Sequence, residues 1–183
     1  MSCRSTRTPR RRPRAPWFAE GAEDRLHLRP GYNKDEHRWG NGLARILDVA
    51  VVAGGEADRV AVDAQAEVTL LAKAQFLATV ERPVFGMLIK TVEGVLVYGV
   101  NSRTDTERSE SARQAGEVMV FSFTFPAALA QGNYLLSMGI ASDPGTGDYV
   151  PLDRRYDVLL LKVLNRRALW GLVDLDARFG TAP

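Results

Sequence analysis

PVFGMLIKTVEGVLVYGVN, residues 83–101, is the stretch whose reading decides the fold. Two apolar runs flank Glu93-Gly94. Glycine takes the φ > 0 conformation of a tight hairpin without steric cost. A two-residue turn at Glu93-Gly94 predicts that Ile89 faces Tyr98, Met87 faces Val100 and Lys90 faces Val97. Side chains alternate across a strand, so such a hairpin has two faces. Phe85, Met87, Ile89, Leu96, Tyr98 and Val100 make a core face. Gly86, Leu88, Lys90, Val97, Gly99 and Asn101 make a face of low relief that carries polar groups. A three-residue loop would pair Lys90 with Leu96 and mix the two sets, which favours the shorter turn.

Similar alternation extends outward in both directions. Residues 44–53 read as a strand, with Leu47, Val49 and Val51 on one side and Ile46, Asp48 and Val52 on the other. In residues 67–80, Val68, Leu70, Ala72, Ala74, Phe76 and Val80 oppose Glu67, Thr69, Lys73, Gln75 and Thr79, a half-buried strand with its polar face in water. Residues 117–125 carry Met119, Phe121, Phe123 and Phe125 at period two, an aromatic stripe assigned to the core. Residues 134–141 alternate Tyr134, Leu136, Met138 and Ile140 with Leu135, Ser137, Gly139 and Ala141. Residues 149–155 lead into a core strand at 156–164, and 171–179 read as a last amphipathic strand able to pair at a partner's edge. Seven or eight short strands with turn signals between them and no strong helix predict an all-β antiparallel sandwich.

The chain has 183 residues, 45% of them apolar, enough for one domain with a sizeable core. Its net charge is +2. Six of the 24 basic residues are Arg4, Arg7, Arg10, Arg11, Arg12 and Arg14, so the remainder, 18 basic against 22 acidic, is mildly acidic. That balance argues against a nucleic-acid-binding domain, whose cations belong on the folded surface. Residues 1–30 read as a disordered tail or linker and 31–180 as the sandwich domain. Alternatives for the tail are an anionic-lipid or nucleic-acid tether, or an organellar transit peptide. Cys3 is the single cysteine, which excludes an intrachain disulfide and a cysteine-based metal cluster.

No G-x-x-x-x-G-K-[ST] and no G-x-S-x-G occurs. His27 and His37 are the two histidines, poor material for a Ser-His-Asp site or a zinc site. The carboxylates around His37 read as a polar lead-in, with Trp39 packed on the domain. Asp153 and Asp157 lack an opposed carboxylate for glycoside hydrolysis. The loop SDPGTGD, 142–148, lacks EF-hand spacing and reads as a turn. No cofactor is implied, and the chain reads as non-catalytic. Sugars are held by shallow surfaces that combine hydrogen-bonding groups with an apolar or aromatic face. Gly86 and Gly99 leave room for a ring, and Lys90 and Asn101 offer bonds to hydroxyls. Ser137 and Gly139 extend this trough if their strand lies in the same sheet, and Tyr149, Asp153 and Tyr156 rim it. Each has an ordinary alternative: Lys90 solvated, Asn101 closing a strand end, Asp153 and Arg154 forming a turn.

Phe85, Gly86, Ile89, Lys90, Gly94, Val97, Tyr98, Gly99 and Asn101 also fit a hairpin motif. With HRWGNGLARILDV, QGNYLLSMGIA and LDRRYDVLLLKVL in the same order, the chain resembles the C-terminal carbohydrate-binding domain of Wzt, the ATPase subunit of bacterial O-antigen ABC exporters. The resemblance spans roughly residues 31–179. It implies an immunoglobulin-like sandwich that recognises O-antigen-type polysaccharide on the cytoplasmic side and works with the exporter's ATPase and inner-membrane subunits. It also implies a homodimer, for which 171–179 is the candidate pairing edge. Tyr98, although part of the motif, is assigned to the core. Other readings are a sandwich that docks on a glycosyltransferase or on the ATPase, and a fragment of a polysaccharide-modifying enzyme.

Overall fold

The computed structural model describes residues 18–104, 110–165 and 167–181. Among these residues nine strands form: β1 (His37–Trp39), β2 (Ala44–Ala53), β3 (Ala61–Asp63), β4 (Glu67–Phe76), β5 (Pro83–Thr91), β6 (Leu96–Asn101), β7 (Val118–Pro126), β8 (Gly132–Ser142) and β9 (Val150–Leu164). They build two sheets. The larger runs β1-β9-β8-β5-β6, with β3 pairing in parallel beside the far half of β9. The smaller runs β2-β4-β7. All other pairs are antiparallel. The expected sandwich is the observed fold. No described helix is long and apolar enough to cross a membrane.

The inner faces follow the alternation read from the sequence. Phe85, Met87 and Ile89 of β5, Leu136, Met138 and Ile140 of β8, and Leu159, Leu161 and Val163 of β9 are buried. They meet Val68, Leu70, Ala72, Ala74 and Phe76 of β4 in one core. Phe85 ties the layers together, 4.5 Å from the Phe121 ring and edge-on to Phe76 at 6.4 Å.

The central hairpin differs from expectation at its tip. Thr91 N donates to Val95 O at 2.9 Å and Gly94 N to Thr91 O at 3.0 Å, with Gly94 at φ +90°. The loop is therefore the three residues Val92, Glu93 and Gly94, and Lys90 pairs with Leu96. A bulge at Val97 then absorbs the offset, so Ile89 faces Tyr98 and Met87 faces Val100 as expected. A bulge places two residues opposite one, so the expected faces are restored from Tyr98 onward, while Leu96 joins the face of Lys90 and Val97 packs against the core. Tyr98 is not a core residue: it is 48% exposed, and Leu96 more so. Both lie on β6, the edge of the larger sheet, where their side chains remain accessible.

The N-terminal boundary also moves. Residues 18–30 are not a free linker. Leu26, in a short 3-10 turn (Leu26–Leu28), is fully buried in the core. Arg25 N bonds Leu47 O, and Arg29 grips Asp48 through two 2.8 Å bonds. The Lys73 ammonium, expected in water on the polar face of β4, is buried and donates to the Ala19 and Gly21 carbonyls. The Arg-rich residues 4–14 lie outside the described residues. Strand β4 ends at Phe76, short of residue 80. Residues 171–179 form no strand within this chain. A single bridge joins Leu129 to Val173, and Leu175 and Phe179 are left exposed.

Gly40 fixes the join between β1 and β9. At φ +150°, a Cβ there would press into the Leu152 carbonyl and lie 2.8 Å from the Asp153 nitrogen. Backbone cannot yield as a flexible side chain can. Gly40→Ala is expected to cost about 1–3 kcal/mol, measured as a lower denaturant midpoint with an unchanged slope.

Candidate functional site

The outer face of the larger sheet carries two rows of side chains. In the first, register links Trp39, Arg154, Gly139, Gly86 and Asn101 across five strands. In the second, Tyr156 pairs with His37, and Leu88 pairs with both Ser137 and Gly99. Gly86, Gly99 and Gly139 thus contribute no side chain to the floor, although the Leu88 side chain leans over Gly99. Over this floor lies a trough of about 390 Å³, lined also by Leu88, Asn101, Thr104, Ser137, Tyr149, Arg154 and Tyr156. That volume is in the range of small-ligand sites.

None of the three floor glycines has a positive φ. A Cβ at Gly86 would meet nothing closer than 3.6 Å, and at Gly139 the Arg154 side chain at 3.4 Å. Backbone strain therefore does not call for glycine at either position. What glycine provides is open space.

The walls are held in place by their neighbours. The Arg154 guanidinium stands 5.2 Å over the Trp39 ring and donates to the Tyr156 hydroxyl at 3.1 Å. His37 stacks on Tyr156 with an 18° interplanar angle. At the opposite wall, Arg103 N donates to the Asn101 side-chain oxygen at 2.9 Å, and Asn101 lines the trough. Asp157 adopts φ +60° in a bulge where Ser137 lies opposite three residues of β9. Its N donates to the Ser137 hydroxyl at 2.9 Å, and Asn33 donates to its carbonyl.

The structure brings together Asn101, Ser137, Tyr149 and Tyr156 of the residues expected at this face. Lys90 stands one step beyond the lining, paired with Asp157 at 2.6 Å. Asp153 is on the other face. It is buried, accepts from Arg38 at 2.9 and 2.8 Å and from Ile46 N at 2.6 Å, and does not reach the trough. Residues that the sequence reading did not assign here are Arg154 and Trp39, the latter expected to pack on the domain. Alternation from Tyr156 carries the signal for Arg154, because residues two apart on a strand share a face.

Behind the trough wall lies a charge cluster. Arg155 is buried and bonds Glu36 (Nε, 2.8 Å), Asp24 (2.8 Å) and the Ile46 carbonyl (3.1 Å). Burial opposes its charge, but Glu36 and Asp24 outweigh that and raise its pKa. Burial likewise pushes the Asp24 carboxyl up, and Arg155 with Arg38 more than offsets this, holding it below the ordinary 3.8. A carboxyl depressed on folding contributes stability above its unfolded pKa and loses it as pH falls through the folded one. The denaturant midpoint of Asp24→Asn and of the parent chain should therefore converge below about pH 4 and separate above it.

These features define a two-sheet β-sandwich domain with a polar, glycine-floored trough on one outer face. The family model of the Wzt C-terminal domain matches residues 35–175. The crystal structure of the C-terminal domain of wzt is 38% identical, covers 87% of this chain and 96% of that one, and superposes with a TM-score of 0.83. This chain belongs to the Wzt C-terminal domain family. Membership supports, broadly, a carbohydrate-binding role in an ABC exporter, in its non-ATPase, substrate-binding part. The CARDB domain of a Pyrococcus furiosus protein, solved with di-metal ions, is 14% identical, covers 69% of this chain and 93% of its own, and has a TM-score of 0.37, too remote to bear on fold or site. No curated protein matches.

Proposed function

We propose that this chain recognises O-antigen or a related cell-surface polysaccharide for export, and that the trough is where a sugar sits. The observation that carries the reading is the glycine floor between Tyr156 and Asn101, which admits a flat ring to backbone contact. Asn101, Ser137, Tyr149, Tyr156 and Arg154 supply hydrogen bonds around it, and Lys90 with Asp157 bounds one end. The domain acts at the cytoplasmic side of the inner membrane, where it hands its polymer to the transporter's ATPase and membrane subunits. Pairing of two copies is part of the proposal, with residues 171–179 as the contact. Exposed Trp170, Leu175 and Phe179 support that segment as one made to be covered.

A second reading is a domain that docks on a glycosyltransferase or on the ATPase. The accessible Leu96 and Tyr98 at the β6 edge favour it. Affinity electrophoresis of the full chain against a panel of bacterial O-polysaccharides separates the two. Selective retardation by the producing organism's own polymer, weakened by Asn101→Ala, is the expected result. No retardation by any polymer would move the function to docking.

A further inference from the structure

One charged side chain in the trough, Arg154, has no counter-charge among the described residues. Arg154 sits in the floor row beside Gly139. Trp39 lies under its guanidinium and the Tyr156 hydroxyl accepts from its Nη1. Among the described residues it forms no ion pair, and no Asp or Glu lines the trough. The neighbouring cations are all matched: Lys90 by Asp157, Arg103 by Asp143, Arg155 by Asp24 and Glu36. Asp153, next in the chain, is turned through the sheet to Arg38.

The ring fixes the plane of the Arg154 fork, and the hydroxyl fixes its rotation about that plane. One N–H of five is used by Tyr156, so a pair of parallel donors remains. A planar guanidinium fork matches two oxygens of a carboxylate or a phosphate, and such charge-assisted pairs are about twice as strong as neutral ones. A neutral hydroxyl satisfies a donor but leaves the half-buried charge unmatched.

We infer that Arg154 selects an anionic sugar, one bearing a carboxylate or a phosphate ester, with the anionic group on Arg154 and the ring over Gly86 and Gly139. This rests on the sugar-binding reading of the trough. Arg154 would then set specificity through charge, while the floor and Asn101 recognise the ring.

The test is calorimetry of the full chain against the producing organism's O-polysaccharide in three forms: native, carboxyl-reduced with carbodiimide and borohydride, and dephosphorylated with hydrofluoric acid. One of the two treatments should weaken binding at least roughly tenfold, and which one identifies the group. Native binding should also weaken as salt rises. Arg154→Gln, checked for unchanged thermal unfolding, should bind all three forms alike. Arg154→Lys should recover part of the salt-dependent preference, because it keeps the charge and loses the fork. Equal binding of all three forms by the parent chain, or a preference that survives Arg154→Gln, overturns the inference and leaves sugar binding intact. No binding of any form overturns both.

Discussion

Arg155→Met is expected to destabilise the domain by about 3–5 kcal/mol, because it strips the partner from charges buried with it. The Arg155 side chain is 5% exposed and that of Glu36 is 9%. Methionine fills much the same space, so the loss reports charge rather than a cavity. Glu36 would be left as an uncompensated carboxylate, and Asp24 would keep Arg38 alone. The cluster joins the N-terminal segment, β1 and the Ile46 carbonyl of β2 to β9, so the damage spreads over one closed edge of the sandwich. In a domain of this size the melting temperature should fall by on the order of 10 °C. Converting Glu36 to Met in the same chain should recover a large part of the loss, since removing both members of a buried pair leaves nothing unmatched. The half-buried pair of Lys90 and Asp157 gives the contrast. Its side chains are 28% and 20% exposed, and Lys90→Met should cost at most about 1 kcal/mol. Chemical denaturation of the four proteins measures the free energies, and thermal unfolding measures the melting temperature. A loss under about 1 kcal/mol for Arg155→Met would show that the cluster is solvated rather than buried.

The second large effect is on binding. Gly86→Val should abolish polysaccharide binding, or weaken it at least roughly tenfold, without harming the fold. The new side chain would stand on the trough floor, with no atom nearer to its Cβ than 3.6 Å. Gly86 lies inside β5 in ordinary extended backbone, where glycine is less stable than a side-chain-bearing residue by about 0.5–1 kcal/mol. The variant should therefore unfold at an equal or higher temperature while binding is lost. Gly99→Ala is a poorer tool. Its Cβ would come within 2.7 Å of the Leu88 side chain and displace a trough wall. Paired melting and calorimetric titration of Gly86→Val check the claim, and retained affinity would place the sugar elsewhere.

The sequence made a large part of this arrangement legible, and the rest shows what alternation leaves out. Period two placed Gly86, Asn101 and Ser137 on one face because β5, β6 and β8 are long or pinned by a hairpin. The same rule, counted from buried Leu159, Leu161 and Val163, turns Asp153 inward and Arg154 outward; naming Asp153 and Tyr156 together broke that parity. The loop at Val92–Gly94 escaped because the bulge at Val97 cancels the extra residue, so hydrophobic faces alone fit either turn. Tyr98 was misassigned because alternation tells which way a side chain points but not whether an opposing layer reaches it. Trp39 lies on a three-residue strand, too short to show a period. Residues 18–30 looked like a linker because their partners are distant in the chain: Asp24 meets Arg155, and Arg25 meets Leu47. Local pattern carries no trace of such pairs.

The trough as sugar site is tested most directly by nitrogen-15 NMR of the full chain during titration with an oligosaccharide cut from the producing organism's O-polysaccharide. Glycine amides resolve well, and three of them form the floor. Saturable shifts at Gly86, Gly99 and Gly139, with the Asn101 side-chain amide, are the predicted result. Shifts confined to Leu96, Tyr98 and residues 170–179, or none at any concentration, would contradict it.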